Sequence, residues 1–168
     1  REHFVWVGRL DEEQKRPHLY LDLADSLPEE QFLLVGPGGQ DDQYNERIEA
    51  RAGSLSNVDY LGRVKPDAVH GYYRTAKALV NTSEYEGFPS TFIEAWRFRT
   101  PVLSLALDPR RYVDIEEASG FADGDFETLR ELTAGFASDP DARNAAVESA
   151  FTYFEENLTL EKVANRYA

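Results

Sequence analysis

The segment NTSEYEGFPSTFIEAW, residues 81–96, holds two glutamates eight positions apart, Glu86 and Glu94. Glu86 stands just before Gly87-Phe88-Pro89, a turn that cannot be helical. Glu94 falls about one turn inside a helix that Ser90 or Thr91 is expected to cap. The first amides of a helix have no partner within it and point outward, so they attract an anion. Gly87 allows close backbone approach, and Pro89 suits the last position before a helix or the first inside it. Carboxylates on both sides of such a phosphate-binding turn could grip the hydroxyls of a sugar nucleotide. Two arbitrary glutamates would by default be a solvated loop acid and a surface helix acid. The surrounding EGFPSTFIEA is what points to a site.

Arg9 and Lys15 offer the opposite charge near the end of a first strand. A diphosphate leaving group gathers negative charge as its bond to a sugar breaks, and positioned cations stabilise that charge. Arginine can fork onto phosphate oxygens, while lysine acts as a point charge. The plain alternative makes both of them, and Arg16 beside them, surface cations. Other patterns carry less. GPGG at 36–39 is too weak for a dinucleotide fingerprint, and GRLDEE stands where GxGxxG belongs. That argues against a nicotinamide site, and no Walker A sequence is present. Asp123-Gly124-Asp125 resembles a metal-binding DxD, but just before a helix its turn and capping roles fit better. His3, on a strand, and His18 and His70, on helices, lack ligand spacing. Trp6, Trp96 and the pair Tyr72-Tyr73 read as core.

The elements that must position these residues alternate. HFVWVG (3–8), QFLLVG (31–36), NVDYLG (57–62), ALVNT (78–82) and PVLSL (101–105) are short apolar runs of strand length, and GFADGD (120–125) adds a short sixth. Helical spacing appears over 16–27, 42–53, 67–75 with Asp67 as cap, and 90–98. After Leu107 the chain reads as irregular up to Gly120. Residues 125–168 read as two or three helices, with breaks near Pro140 and Asn157-Leu158-Thr159. Strands alternating with helices predict an α/β, Rossmann-like, doubly wound parallel sheet of about six strands. Ligands of such sheets sit at the carboxyl ends of the strands. Gly8-Arg9, Gly36-Pro37-Gly38, Gly62-Arg63 and Ser83–Pro89 all follow strands, so four loops should converge on one edge.

Length and composition set the bounds. The 168 residues suit one domain with a real core, and 42% hydrophobic content marks a folded chain. Cys is absent, so disulfides and thiolate metal sites are excluded. The longest apolar runs fall far short of the roughly 20 residues of a membrane helix. Met is absent too, which predicts a piece cut from a longer protein. The net charge of −13, with 31 acids against 14 Arg and 4 Lys, opposes nucleic acid and anionic membranes. A surface so acidic and poor in Lys suggests the cytoplasmic protein of a halophilic organism, loosening at low salt.

Taken together, these residues resemble the C-terminal, donor-binding domain of a retaining glycosyltransferase of family four, one half of the two-domain GT-B fold. VGRL with Lys15, FLLVG, VDYLG and YYRTAKALVNTSEYEGFPSTFIEAWRFRTPVLSL occur in the family's order, and the match covers nearly the whole of residues 1–168. NLTLEKVANRY resembles the family's last helix. KRPHLYLDLA and EGFPSTFIEAW resemble members that build surface polysaccharides or glycoproteins. The resemblance implies a nucleoside-diphosphate-sugar donor, transfer of a hexose-type sugar with retention, and no metal or other cofactor. It implies that Arg9 and Lys15 contact the diphosphate and Glu86 the donor sugar near the reacting carbon. Glu94 would hold the ribose, and Arg63-Val64 would meet the base. Gly87, Phe88 and Pro89, with the amides near Ser90 and Thr91, would complete the donor site. A glycan or lipid-linked acceptor would belong to an N-terminal domain absent from this chain, so the isolated domain should be inactive. The location implied is cytoplasmic, with the full-length protein peripheral at the inner membrane face. One departure is Arg99, which stands where relatives often have Gly. A catalytically inactive binding or scaffolding domain on the same fold is the main alternative. A receiver-like signalling domain would need acids where Gly8-Arg9 stand.

Overall fold

The computed structural model describes residues 1–111, 119–159 and 162. Six strands alternate with helices in chain order: β1 His3–Val7, α1 Pro17–Ser26, β2 Gln31–Val35, α2 Asp42–Ser54, β3 Val58–Gly62, α3 Pro66–Thr75, β4 Ala76–Asn81, α4 Ser90–Arg97, β5 Val102–Ser104, β6 Ser119–Phe121, α5 Phe126–Ser138 and α6 Pro140–Asn157. A 3-10 turn, Pro109–Arg111, follows β5. The strands form one sheet in the order β3-β2-β1-β4-β5-β6, and every pairing is parallel. This is the doubly wound α/β fold that the alternation predicts. Among the described residues no helix is long and apolar enough to cross a membrane.

The two-residue period of the strands decides which helices cover which face. Phe4 and Trp6 of β1, Phe32 and Leu34 of β2, and Ala78 and Val80 of β4 join one core with Tyr20 and Leu23 of α1, Ile48 of α2 and Leu129 of α5. The alternate residues Val5, Val35 and Leu79 join a second core with Tyr73 of α3, Trp96 of α4 and Phe154 of α6. Both faces are therefore buried, which is why the strands read as nearly unbroken apolar runs. Trp96 is fully buried, and truncating such a side chain to Ala costs about 3–5 kcal/mol.

Local chemistry sets the ends of the helices, and here two expectations fail. Asp67 does not cap α3. Lys65 occupies that position, Pro66 takes the first helical place, and Asp67 lies in the first turn, where its charge still suits the helix dipole. Neither Ser90 nor Thr91 caps α4. Pro89 is its N-cap, with no side-chain cap bond, and the Thr91 hydroxyl is buried without a hydrogen-bond partner. With Pro89 making the bend, Ser90 is already inside the helix, where its hydroxyl cannot serve as a cap. Asp41, Asp125 and Asp139 do cap α2, α5 and α6. Asp125 accepts from the Thr128 amide at 3.1 Å, and Asp123 takes a left-handed turn at φ 51°. The DxD pair thus does turn and capping work.

Arg99 adopts φ 57°, the conformation in which Gly is unstrained. Its guanidinium pairs with Glu148 and lies 3.9 Å from the Phe151 ring centroid, so α6 holds the side chain where a Gly would have none. The likeness of NLTLEKVANRY to a last helix falls on residues 157–167, most of which lie outside the described residues. The same holds for much of the irregular stretch before Gly120.

Candidate functional site

The strand order reverses between β1 and β4. β1 leads into α1, whose residues join one core, and β4 leads into α4, whose residues join the other. The helices that follow these two strands thus lie on opposite faces, and it is at such a point that doubly wound sheets bind ligands in a crevice. The loops after β1, β2, β3 and β4 do meet at this edge. Gly8 N–H donates to the Val35 carbonyl at 3.0 Å and Leu10 N–H to that of Pro37 at 3.0 Å. Gly36 N–H donates to the Gly62 carbonyl at 2.9 Å, and Glu84 N–H to that of Gln14 at 2.8 Å. Gly36 has φ 148°, and a Cβ there would collide with the Gly8 carbonyl oxygen, so no larger residue allows this approach.

Lys15 and Glu86, 71 positions apart in sequence, are brought together in the crevice. Lys15 Nζ lies 2.9 Å from Glu86 Oε1, with side-chain exposures of 20% and 10%. The same oxygen accepts from Ser83 Oγ at 2.7 Å and from Asn81 Nδ2 at 3.3 Å. Glu86 is thus a partly desolvated carboxylate fixed by a cation and two neutral donors. The ammonium has further N–H groups to offer an anion. Arg9 stands at the rim, half exposed and 3.8 Å from Asp11, while Gly87 and Phe88 are exposed beyond Glu86.

Arg63 and Val64 line a cavity of about 220 Å³ with Val7, Gly8, Gly36 and Pro37. The hydroxyl of Tyr60 donates to the Gly36 carbonyl at 3.1 Å, and burial pushes its pKa up. Glu94 lines a separate groove of about 430 Å³ between α4 and α6, with Ile93, Arg97, Phe154 and Leu158. Its carboxylate faces Tyr73, whose hydroxyl is pushed well up, first by burial and then by that charge. At the start of α4, Ser90 N–H donates to the Phe88 carbonyl at 3.0 Å and Phe92 N–H to that of Pro89 at 2.9 Å. Two amides of this end are therefore already engaged, which corrects the expectation that they stand open.

Sequence reading missed the residues that hold this crevice together. Arg16 is no surface cation. Its Nε donates to the Thr82 carbonyl at 2.8 Å, and its guanidinium pairs with Glu84. Arg16 also has φ 52°, a left-handed conformation that costs a non-glycine residue roughly 1–2 kcal/mol. Asn81, Thr82 and Ser83 form a polar run at the end of an apolar strand, and that was the available signal.

The pattern described as "Glycosyl transferases group 1" matches residues 1–152. The chain is 27% identical over 164 residues to the alpha-galactosylglucosyldiacylglycerol synthase of Streptococcus pneumoniae, covering 92% of this chain and 43% of that protein. It spans less than half the length of this curated relative. Over 118 residues it is 33% identical to the lipopolysaccharide core biosynthesis mannosyltransferase LpcC of Rhizobium leguminosarum, covering 68% of this chain and 32% of that one. In fold it matches Anabaena Alr3699/HepE, solved in complex with UDP and glucose, with TM-score 0.85 at 16% identity, covering 99% of this chain and 47% of that one.

Proposed function

The chain belongs to the glycosyl transferases group 1 family, and on that premise we propose that it is the donor-binding, C-terminal half of a retaining, metal-independent GT-B glycosyltransferase. It moves a hexose-type sugar from a nucleoside diphosphate to a glycan or lipid-linked acceptor held by an N-terminal domain. The observation that carries this reading is the Lys15–Glu86 pair in the crevice between β1 and β4. A leaving diphosphate would need a cation and the sugar it leaves a carboxylate, side by side, and the neighbouring Lys15 and Glu86 support that reading. The UDP and glucose held by HepE support the same reading.

In this reading Lys15 and Arg9 take the diphosphate, and Glu86 takes the donor sugar near its anomeric carbon. Glu94 holds the ribose hydroxyls, and the base enters the cavity at Arg63 and Val64. The turn Gly87-Phe88-Pro89, the Ser90 side chain and the backbone at Thr91 close over the phosphate. The anomeric carbon–oxygen bond to phosphate breaks while the acceptor oxygen bonds to the same face, and the acceptor proton passes to the leaving phosphate. Cations on the protein stabilise the charge that a metal would otherwise balance, so chelator should leave activity intact.

Titrating the chain with UDP, GDP and ADP by calorimetry, in molar KCl with EDTA, tests the donor site. Saturable binding of one nucleotide, lost in Glu94→Ala, is expected. A nucleotide bound equally well by Glu94→Ala would sink the assignment of Glu94.

A further inference from the structure

Two adjacent residues of the β1–α1 loop, Lys15 and Arg16, face two acids of the β4–α4 loop, Glu86 and Glu84. The two ion pairs are built differently. The Lys15 ammonium makes a point contact that an arriving anion can share or displace. Arg16 spans two partners, with Nε on the Thr82 carbonyl at 2.8 Å and Nη1 on Glu84. Around it the loops are tied again. Thr82 Oγ1 lies 2.8 and 3.0 Å from the carbonyl oxygens of Lys15 and Arg16, which share its one hydrogen, and accepts from Trp6 Nε1 at 3.0 Å.

Two features set Arg16 apart from a packing residue. Its backbone is left-handed, where Gly would sit without strain. Its Nη2 is buried without a hydrogen-bond partner, in a side chain that is 19% exposed as a whole. Both disfavour Arg at this place on stability grounds, which leaves its contacts with Thr82 and Glu84 as what the guanidinium contributes.

We infer that Arg16, with Glu84, is a positioning pair that sets the spacing of the two loops and keeps Lys15 aligned on Glu86 while the diphosphate binds. The inference rests on the donor-site reading above. Because the strut lies beside the Lys15–Glu86 contact and not within it, that contact can rearrange on binding without the loops drifting apart.

Arg16→Gly relieves the backbone and removes the strut. Arg16→Lys keeps the charge but cannot hold Thr82 and Glu84 together. Both are made in this chain, with foldedness checked by circular dichroism. The Lys15 ammonium signal in nitrogen-15 NMR then reports its contact with Glu86. That signal should broaden or vanish in Arg16→Gly and persist in part in Arg16→Lys. Affinity for UDP should fall about tenfold in Arg16→Gly, with Arg16→Lys between it and the parent, as expected when binding groups are misplaced.

An unchanged Lys15 signal in a folded Arg16→Gly chain overturns the inference. So does an altered signal with unaltered UDP affinity. If Arg16→Gly does not fold, Arg16→Lys decides by the same two readouts. A parent chain that does not bind UDP, GDP or ADP counts against the donor reading, and the strut then stands or falls on the Lys15 signal alone.

Discussion

The two glutamates of EGFPSTFIEA are separated by one short turn, yet they end in unlike surroundings. Glu86 is held in a polar crevice by Lys15, Ser83 and Asn81. Glu94 lines a groove that Ile93, Phe154 and Leu158 share with Arg97, Glu155 and Thr159, and Tyr73 lies behind it. A group that must face developing charge gains from being fixed beforehand, since no reorganisation is then needed during reaction. A group that only recognises hydroxyls needs room for its ligand. On the proposed function, the contrast divides chemistry from recognition between the two residues.

The largest effect should come from the crevice. In the complete enzyme, Glu86→Gln should lower turnover by about a hundredfold or more with the fold retained. Near-normal turnover would remove Glu86 from the site and erase the contrast. Next, Arg9→Ala combined with Lys15→Ala should weaken binding of the nucleoside diphosphate about tenfold or more while binding of its nucleoside changes little, because only the diphosphate is charged. Equal losses for both ligands would break the phosphate assignment. Glu94→Ala should show a different pattern, losing about 1–3 kcal/mol of binding for the nucleoside and its diphosphate alike. Comparing the two ligand profiles sharpens the division between crevice and groove.

The smallest effect lies outside both regions. His3, whose ring contacts the Tyr72 carbonyl at 3.2 Å, and His18, which contacts the Tyr44 hydroxyl at 2.8 Å, have pKa values lowered chiefly by burial. The unfolded chain therefore takes up these protons first, and stability falls as pH drops below about 6.5 towards the lowered native values. Thermal melts between pH 7.5 and 5.5 should show a drop of a few degrees that His3→Gln reduces. An identical pH slope in His3→Gln would discard this source.

The fold was legible because its signal is local. Five apolar runs and a short sixth became strands at nearly the expected residues, and Pro140 and Asn157 marked helix ends as read. The caps of α3 and α4 were not legible. Asp67, Ser90 and Thr91 are all good cap residues, and the choice fell to where Pro66 and Pro89 bend the chain. Arg16 was opaque for another reason. A cation beside Lys15 looks solvated until the loop after β4 is laid against it.

By itself, then, the sequence determined the alternation of strands and helices, the two buried faces, and the residue types that could meet a sugar and a diphosphate. These follow from the two-residue and 3.6-residue periods and from turn chemistry, which act over a few positions. Only the tertiary structure decided that β1 lies beside β4, and hence that Lys15 rests on Glu86 and Arg16 on Glu84, while Glu94 faces the groove between α4 and α6. Those pairings depend on strand order, which is set by how both faces of the whole sheet are buried at once and not by the local pattern at any one segment.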